Sequence, residues 1–405
     1  MFNDLIIDYS LGIVKFFDRL NLKFYFTESQ VKHMMATAYA MIGRGYTGKV
    51  SEISESTNYT DRTTAGRFIN KSTWDEKYLL QQLQRHAIEV IWEVSKETKE
   101  PIYVIVDDTI SEKTAPSSKA QSPIEGCSFH HSHLSNKTVY GHQFVTVMLR
   151  CGDVVAPYEI KLYQKGVDKK ADSKIEIARK IISTLPKPPE KGYVMADSWY
   201  SSRDLFEGAE ARGYHYIGAI KSNRVIYPKG YKREGIQIGA FAKTLKLNQL
   251  DLVTVGNERY YMYTYLGRIN GCNKVKIIIT WPEGAVFNPR AMKAFVSLDI
   301  HMSGKQIANH YLNRWPIEVF FRETKRNLGL DGYQIRKKEG IQRYMYLLML
   351  GYSYCGLEVK DGVLNFSDGL KTARKEIKRV ETTWIYNQAQ KGVSLEAVLK
   401  SCKAS

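Results

Sequence analysis

The stretch IYVIVDD, residues 102–108, constrains the 405-residue chain more than any other. Its apolar part is short and rich in β-branched residues, which suits a strand covered on both faces. Two acids follow at once, Asp107 and Asp108. A doubly covered strand can end in carboxylates only where it leaves the core, and ligands of open α/β sheets bind at the carboxyl ends of the strands. The sequence beyond fixes what such a strand pairs with. GHQFVTVMLRC and VVAPYEIKLY predict two more strands, joined as a hairpin at Gly152 and Asp153. Residues 172–185 read as a helix stopped by PKPPEKG, and YVMAD as a strand. SSRDLFEGAEARG reads as a helix ending at Gly213, and YHYIGAI as a strand. From Ile102 the order is β-β-β-α-β-α-β.

Three antiparallel strands followed by alternating α/β units are the layout of a ribonuclease H-like core. The predicted fold class is therefore α/β, a ribonuclease H-like catalytic core with a β-rich insertion, a helical N-terminal domain and a helical C-terminal tail. Residues 1–100 form the helical N-terminal domain, 101–221 and 301–354 the core, 222–300 the insertion and 355–405 the C-terminal region. The loop between the first two strands, from Ser111 to about Thr138, reads as irregular. The insertion carries the strand-like runs LVTV, RYYMYTYLG and KVKIIIT. Within 50–70, short helices near 50–55 and 61–69 around a polar turn resemble a helix-turn-helix, with Arg62 and Arg67 facing outward to bind DNA.

Lys and Arg number 59 against 42 Asp and Glu, a net charge of +17. A globular chain this basic points to a polyanionic partner, most often nucleic acid. Five scattered cysteines with no CxxC pair argue against a disulfide framework. The start MFNDLIIDYSLG carries acids where a signal peptide carries positive charge, and no apolar run approaches the roughly 20 residues of a membrane span. The expectation is a cytoplasmic protein with no membrane partner.

Asp197, at the end of YVMAD, is a second strand-end acid. Two such acids in one core suit a hard divalent cation, and a pair of ions needs a third carboxylate. The segment HYLNRWPIEVFFRETKRNLGL supplies it. Tyr311, Arg314, Glu318 and Lys325 are separated by two, three and six residues. At about 100° per residue they fall within roughly 60° of arc. Pro316 interrupts a continuous helix but suits the first position of a new one. Arg314 suits a bidentate phosphate and Lys325 a point charge beside another. Between Phe321 and Tyr344 lie seven basic and three acidic residues, among them Arg322, Arg336, Lys337 and Arg343, a candidate DNA-contacting stretch. Lys137 and His142 are candidates for phosphate contact near the same acids.

The Tyr-(2)-Arg-(3)-Glu-(6)-Lys spacing, following two strand-end aspartates and a β-rich insertion, resembles the DDE transposases of bacterial insertion sequences, the cut-and-paste group to which insertion-sequence group four belongs. The resemblance covers roughly residues 100–350. It implies Mg²⁺, with Mn²⁺ able to substitute, held by Asp108, Asp197 and Glu318. The family's Asp-Thr at the first strand end selects Asp108-Thr109 over Asp107. Tyr311, Arg314 and Lys325 would bind phosphates of the transposon end. A base-stacking tryptophan in the insertion is also implied; the candidate is Trp281, five residues beyond Lys276. The implied partners are double-stranded DNA, as terminal inverted repeats and target, and a second copy of the chain in a synaptic complex. The implied setting is bacterial and nucleoid-associated. The alternatives are a structure-specific nuclease of the same fold and an inactive DNA-binding regulator of transposition.

Overall fold

The structure, a computed structural model, describes residues 11–57, 59–119, 123–132, 136–165, 171–358 and 365–401. The segment MFNDLIIDYS lies outside the described residues. Six helices come first: α1 (Leu11–Arg19), α2 (Leu22–Tyr25), α3 (Glu28–Ile42), α4 (Val50–Ser56), α5 (Arg62–Asn70) and α6 (Glu76–Thr98). Their starts are written in the sequence. Thr27 and Gln30 close a capping box on α3, Asp61 accepts from the backbone N–H groups of Thr63 and Thr64 to open α5, and Asp75 does the same for α6. The polar-turn pair expected at 50–70 is present as α4 and α5. Helix α5 buries Ala65, Phe68 and Ile69 and leaves Arg62 and Arg67 exposed.

The central sheet begins with β1 (Ile102–Glu112), followed by β2 (Ser128–Ser132), β3 (Lys137–Cys151) and β4 (Val154–Tyr163). Gly152, at φ 55°, makes the β3–β4 turn. Helix α7 (Lys174–Ser183), β5 (Gly192–Ala196), α8 (Arg203–Glu210) and β6 (His215–Ala219) complete the alternation. β1 pairs antiparallel with β3 and parallel with β5, and β5 parallel with β6. The spatial order β4-β3-β1-β5-β6 is that of a ribonuclease H-like core. β2 lies inside the segment read as irregular. SFHHS lacks apolar alternation and is a strand only because it pairs with the start of β3.

The insertion does not stand apart from this sheet. It contains β7 (Val225–Ile226), β8 (Ile236–Gln237), α9 (Ile238–Ala242), β9 (Asp251–Val255), β10 (Glu258–Ile269), β11 (Cys272–Pro282) and β12 (Lys293–Ser297). β12 pairs antiparallel with β6, Val296 opposite Gly218, so insertion and core share one twelve-stranded sheet. Helices α10 (Gly304–Tyr311), α11 (Pro316–Asn327), α12 (Lys338–Ser353), α13 (Phe366–Gln390) and α14 (Leu395–Ser401) follow. Pro316 occupies the first turn of α11, and a short 3-10 turn, Leu312–Arg314, links it to α10. Among the described residues no helix is long and apolar enough to cross a membrane.

Two apolar layers cover the sheet. On one face Tyr103, Ile105, Tyr193 and Met195 pack with α3, α11 and α12; on the other Val104, Val106, Val194 and Ala196 pack with α7 and α8. The first layer runs from the N-terminal helices straight into the core, so residue 100 marks a change of secondary structure and not of hydrophobic core. Close backbone approach fastens the two. A Cβ on Gly332 would lie 1.6 Å from the carbonyl oxygen of Thr47, and one on Gly48, itself at φ 109°, only 2.7 Å from that of Gly329. Arg343 adds a polar clasp. Its guanidinium donates to the carbonyls of Ile69, Ser72 and Trp74 and pairs with Glu76 at 3.2 Å. This member of the basic stretch is only 12 % exposed and grips the chain's own N-terminal helices.

Candidate active site

Side chains of a strand point alternately to its two faces, and this decides what the two acids of β1 meet. Asp107 continues the Tyr103–Ile105 face, toward α11; Asp108 continues the Val104–Val106 face, toward α7. Asp107 Oδ2 accepts from Arg314 at 2.6 Å, and the other arm of the same guanidinium donates to Glu318 Oε1. The parallel register sets Val106 beside Ala196, so the next residue of each strand brings Asp107 alongside Asp197. Asp107, Asp197 and Glu318 therefore lie toward one face where β5 ends; β1 does not end with them, as the sequence suggested, but runs on paired with β3 to Glu112.

Asp108 sits differently from the expectation. Its Oδ1 accepts from Lys174 Nζ at 2.8 Å and from Tyr200 Oη at 2.9 Å, and its Oδ2 from the Gln143 amide. A carboxylate with three donors on the α7 face is fully engaged there. The residue that shares the Arg314–Glu318 bridge is Asp107. The parity of β1 was not readable from the run itself, because both of its faces are apolar. The register signal was available: in VIVDD and YVMAD the first acid after each apolar run is Asp107 and Asp197.

Burial holds the Asp107 carboxyl up to about 6; Arg314 works against this, while Asp197 and Asp108 push further up. Asp197 Oδ1 accepts from the backbone N–H groups of Trp199 at 2.9 Å and Tyr200 at 3.3 Å, which fixes the turn after β5. Glu318 is half-exposed. Lys325 donates to the Ile110 carbonyl at 2.8 Å and pairs with Asp331 at 3.4 Å. Tyr311 packs on Phe295, and burial pushes its hydroxyl up to about 12. Arg322, Arg336 and Lys337 are exposed along α11 and the loop before α12. Lys137 is exposed at the start of β3.

Two expected contact residues belong to the core instead. Trp281 is 1 % exposed, on β11 within the α7–α8 layer and against Phe287, and cannot receive a base there. Alternation along KVKIIITWP turns it inward with Ile277 and Ile279. Trp281→Ala is expected to cost about 3–5 kcal/mol of stability, the usual range for such a truncation, read by denaturant unfolding. His142 is fully buried. Its Nδ1 meets Tyr333 Oη at 2.7 Å and its Nε2 the Glu125 carbonyl at 2.9 Å and Cys127 Sγ at 3.2 Å. Burial holds its imidazole down to about 4. The unfolded chain then takes the proton first, so stability falls as pH drops below the ordinary histidine value toward 4. Between pH 7 and 4.5 the melting temperature of the wild type is expected to fall relative to that of His142→Gln, compared in parallel melting scans.

The sheet order is that of a ribonuclease H-like fold, and two family models match the chain. A family model described as DDE superfamily endonuclease matches residues 28–235, more than half of the chain, and one described as transposase DDE domain matches 162–354. The chain belongs to the DDE superfamily endonuclease family. A curated relative, the transposase for insertion sequence element IS231E of Bacillus thuringiensis subsp. finitimus, is 23 % identical over 189 residues. That match spans 39 % of this chain and 40 % of the relative, so the chain covers about two fifths of the relative's length. A cryo-EM structure of the piggyBac transposase synaptic complex with hairpin DNA aligns with 98 % of this chain and 82 % of its own, at 12 % identity and a TM-score of 0.46.

Proposed function

We propose that the chain is an insertion-sequence transposase that binds the terminal inverted repeats of its element, cleaves the ends and joins them to target DNA. The observation that carries the reading is the gathering of Asp107, Asp197 and Glu318 toward one face where β5 ends, in a family of DDE endonucleases. The donors fit a divalent cation: all three are hard oxygen ligands. Burial, above all, disfavours a charged Asp107, and Asp197 and Asp108 add to this while Arg314 opposes it. Among the described residues no three acids, histidines or cysteines stand close enough to hold an ion as they are, and Arg314 bridges two of the candidates. When bound, Mg²⁺ (or Mn²⁺) would supply Lewis-acid activation of water and of the scissile phosphate.

The chain's own residues bind and orient. Arg314 has the fork geometry to exchange its carboxylates for a phosphate, and Lys325 can trade the Ile110 carbonyl for another. Tyr311, partly buried against Phe295 of the insertion, braces the Arg314 side of the site. Exposed Arg322, Arg336, Lys337, Arg62 and Arg67 grip the duplex, a salt-sensitive term. Two copies on paired ends would form the synaptic complex.

The test is strand transfer. Purified protein, a labelled duplex copying the DNA at the element's end, Mg²⁺ and a supercoiled plasmid are expected to give plasmid joined to the labelled end. Nicking without joining would replace the reading with a nuclease. End binding with neither reaction would replace it with a regulator.

A further inference from the structure

The polar group on the α7 face of β1 has no role in the proposed chemistry, yet it is tightly built. Asp108 accepts from Lys174, Tyr200 and Gln143. The Lys174 ammonium, 12 % exposed, also lies 3.9 Å from the centre of the Trp199 ring. Tyr200 meets the same indole edge-on, with centroids 5.1 Å apart. Trp199 is nevertheless 38 % exposed, at the carboxyl edge of the sheet and two residues beyond Asp197. Its backbone N–H is held by the Asp197 carboxylate.

Each part of this arrangement fixes the indole. Asp108 pins the lysine, the lysine covers the ring by a cation–π contact, and the Asp197 turn fixes the backbone. A large aromatic ring so held, and still open to solvent beside a phosphate-processing site, is a stacking platform. Every base offers a π-face, and stacking on an aromatic side chain contributes without reading sequence.

We propose that Trp199 stacks the base of a nucleotide flanking the scissile phosphate, and that Asp108 and Lys174 are positioning residues that hold the indole for it. The inference rests on the transposase reading for the identity of its DNA. Because Trp199 and Asp197 share one turn, the stacked base sets the register of the phosphate against the carboxylates.

The experiment uses the full chain and a duplex copying the element's end, with 5-iodouracil placed in turn at each position flanking the scissile phosphate. Complexes are formed in Ca²⁺, irradiated, and the cross-linked peptide is identified by mass spectrometry. Cross-linking is expected at one flanking position and to map to Trp199. It should persist in Trp199→Phe and vanish in Trp199→Ala, which is also expected to cleave about tenfold less. Asp108→Asn should weaken the cross-link. Cross-links that map elsewhere, or that survive in Trp199→Ala, overturn the platform. If the wild type cleaves and joins ends while its cross-links ignore Trp199, the platform fails and the transposase reading stands. If the cross-link depends on Trp199 but no end is cleaved or joined, the reading fails and the platform stands.

Discussion

Asp107→Asn is expected to reduce end cleavage by on the order of 10³-fold, whereas Asp108→Asn is expected to reduce it by only about 10–100-fold. The adjacent acids differ by one step along a strand, and that step sends them to opposite faces of the sheet. Asp107 shares Arg314 with Glu318 and lies alongside Asp197; a ligand lost there removes several kcal/mol of transition-state stabilisation, each 1.4 kcal/mol being tenfold. The Asp108 carboxylate already has three donors and bears on the site indirectly, through Lys174 and Trp199 and through Tyr200, whose backbone N–H Asp197 holds. Single-turnover cleavage of a labelled end by both variants separates them; equal losses would undo the assignment. A stability signature accompanies it. The folded value of Asp107, about 6, lies above its ordinary one, so the metal-free protein holds the associated stability at low pH and loses it as pH rises through 6. Asp107→Asn should therefore raise the melting temperature at pH 8, with a gain that shrinks toward pH 5.

Arg343→Ala is expected to cost about 1.5–3 kcal/mol, the range for hydrogen bonds to a charged group, because its pair with Glu76 is only partly buried. It strips donors from the carbonyls of Ile69, Ser72 and Trp74 and leaves Glu76 without its guanidinium. Because Arg343 lies on α12, the loss loosens the helices α5 and α6 from the core. Limited proteolysis should then cut between α5 and α6 first. Lys337→Ala, at an exposed position in the same stretch, should leave melting unchanged and weaken DNA binding, more so at low salt. A thermally unchanged Arg343→Ala would show that the clasp adds nothing.

The core of the fold was legible because its signals are local. IYVIVDD, YVMAD and YHYIGAI are short apolar runs, Gly152 marks the hairpin, and Pro316 marks the start of α11, though β1 runs on past its acids to Glu112. The spacing of Tyr311, Arg314, Glu318 and Lys325 likewise located the helical wall of the site. What was not legible depends on partners distant in sequence. β2 exists only by pairing with β3, and β12 joins the insertion to the core through β6. The parity of Asp107 and Asp108 cannot be read from a strand apolar on both faces. Trp281 and Arg343 have surface-like positions in motif terms, yet alternation buries one and three backbone carbonyls capture the other.

The most direct measurement is cleavage of a duplex copying the element's end by the wild type, Asp107→Asn, Asp197→Asn and Glu318→Gln, in Mg²⁺ and in EDTA. The expected result is a free 3′-hydroxyl at the element's end, formed by the wild type only in Mg²⁺, with all three variants near background though each still binds the duplex. Cleavage that persists in any one of the variants, or in EDTA, would contradict a metal-dependent site built from these three carboxylates.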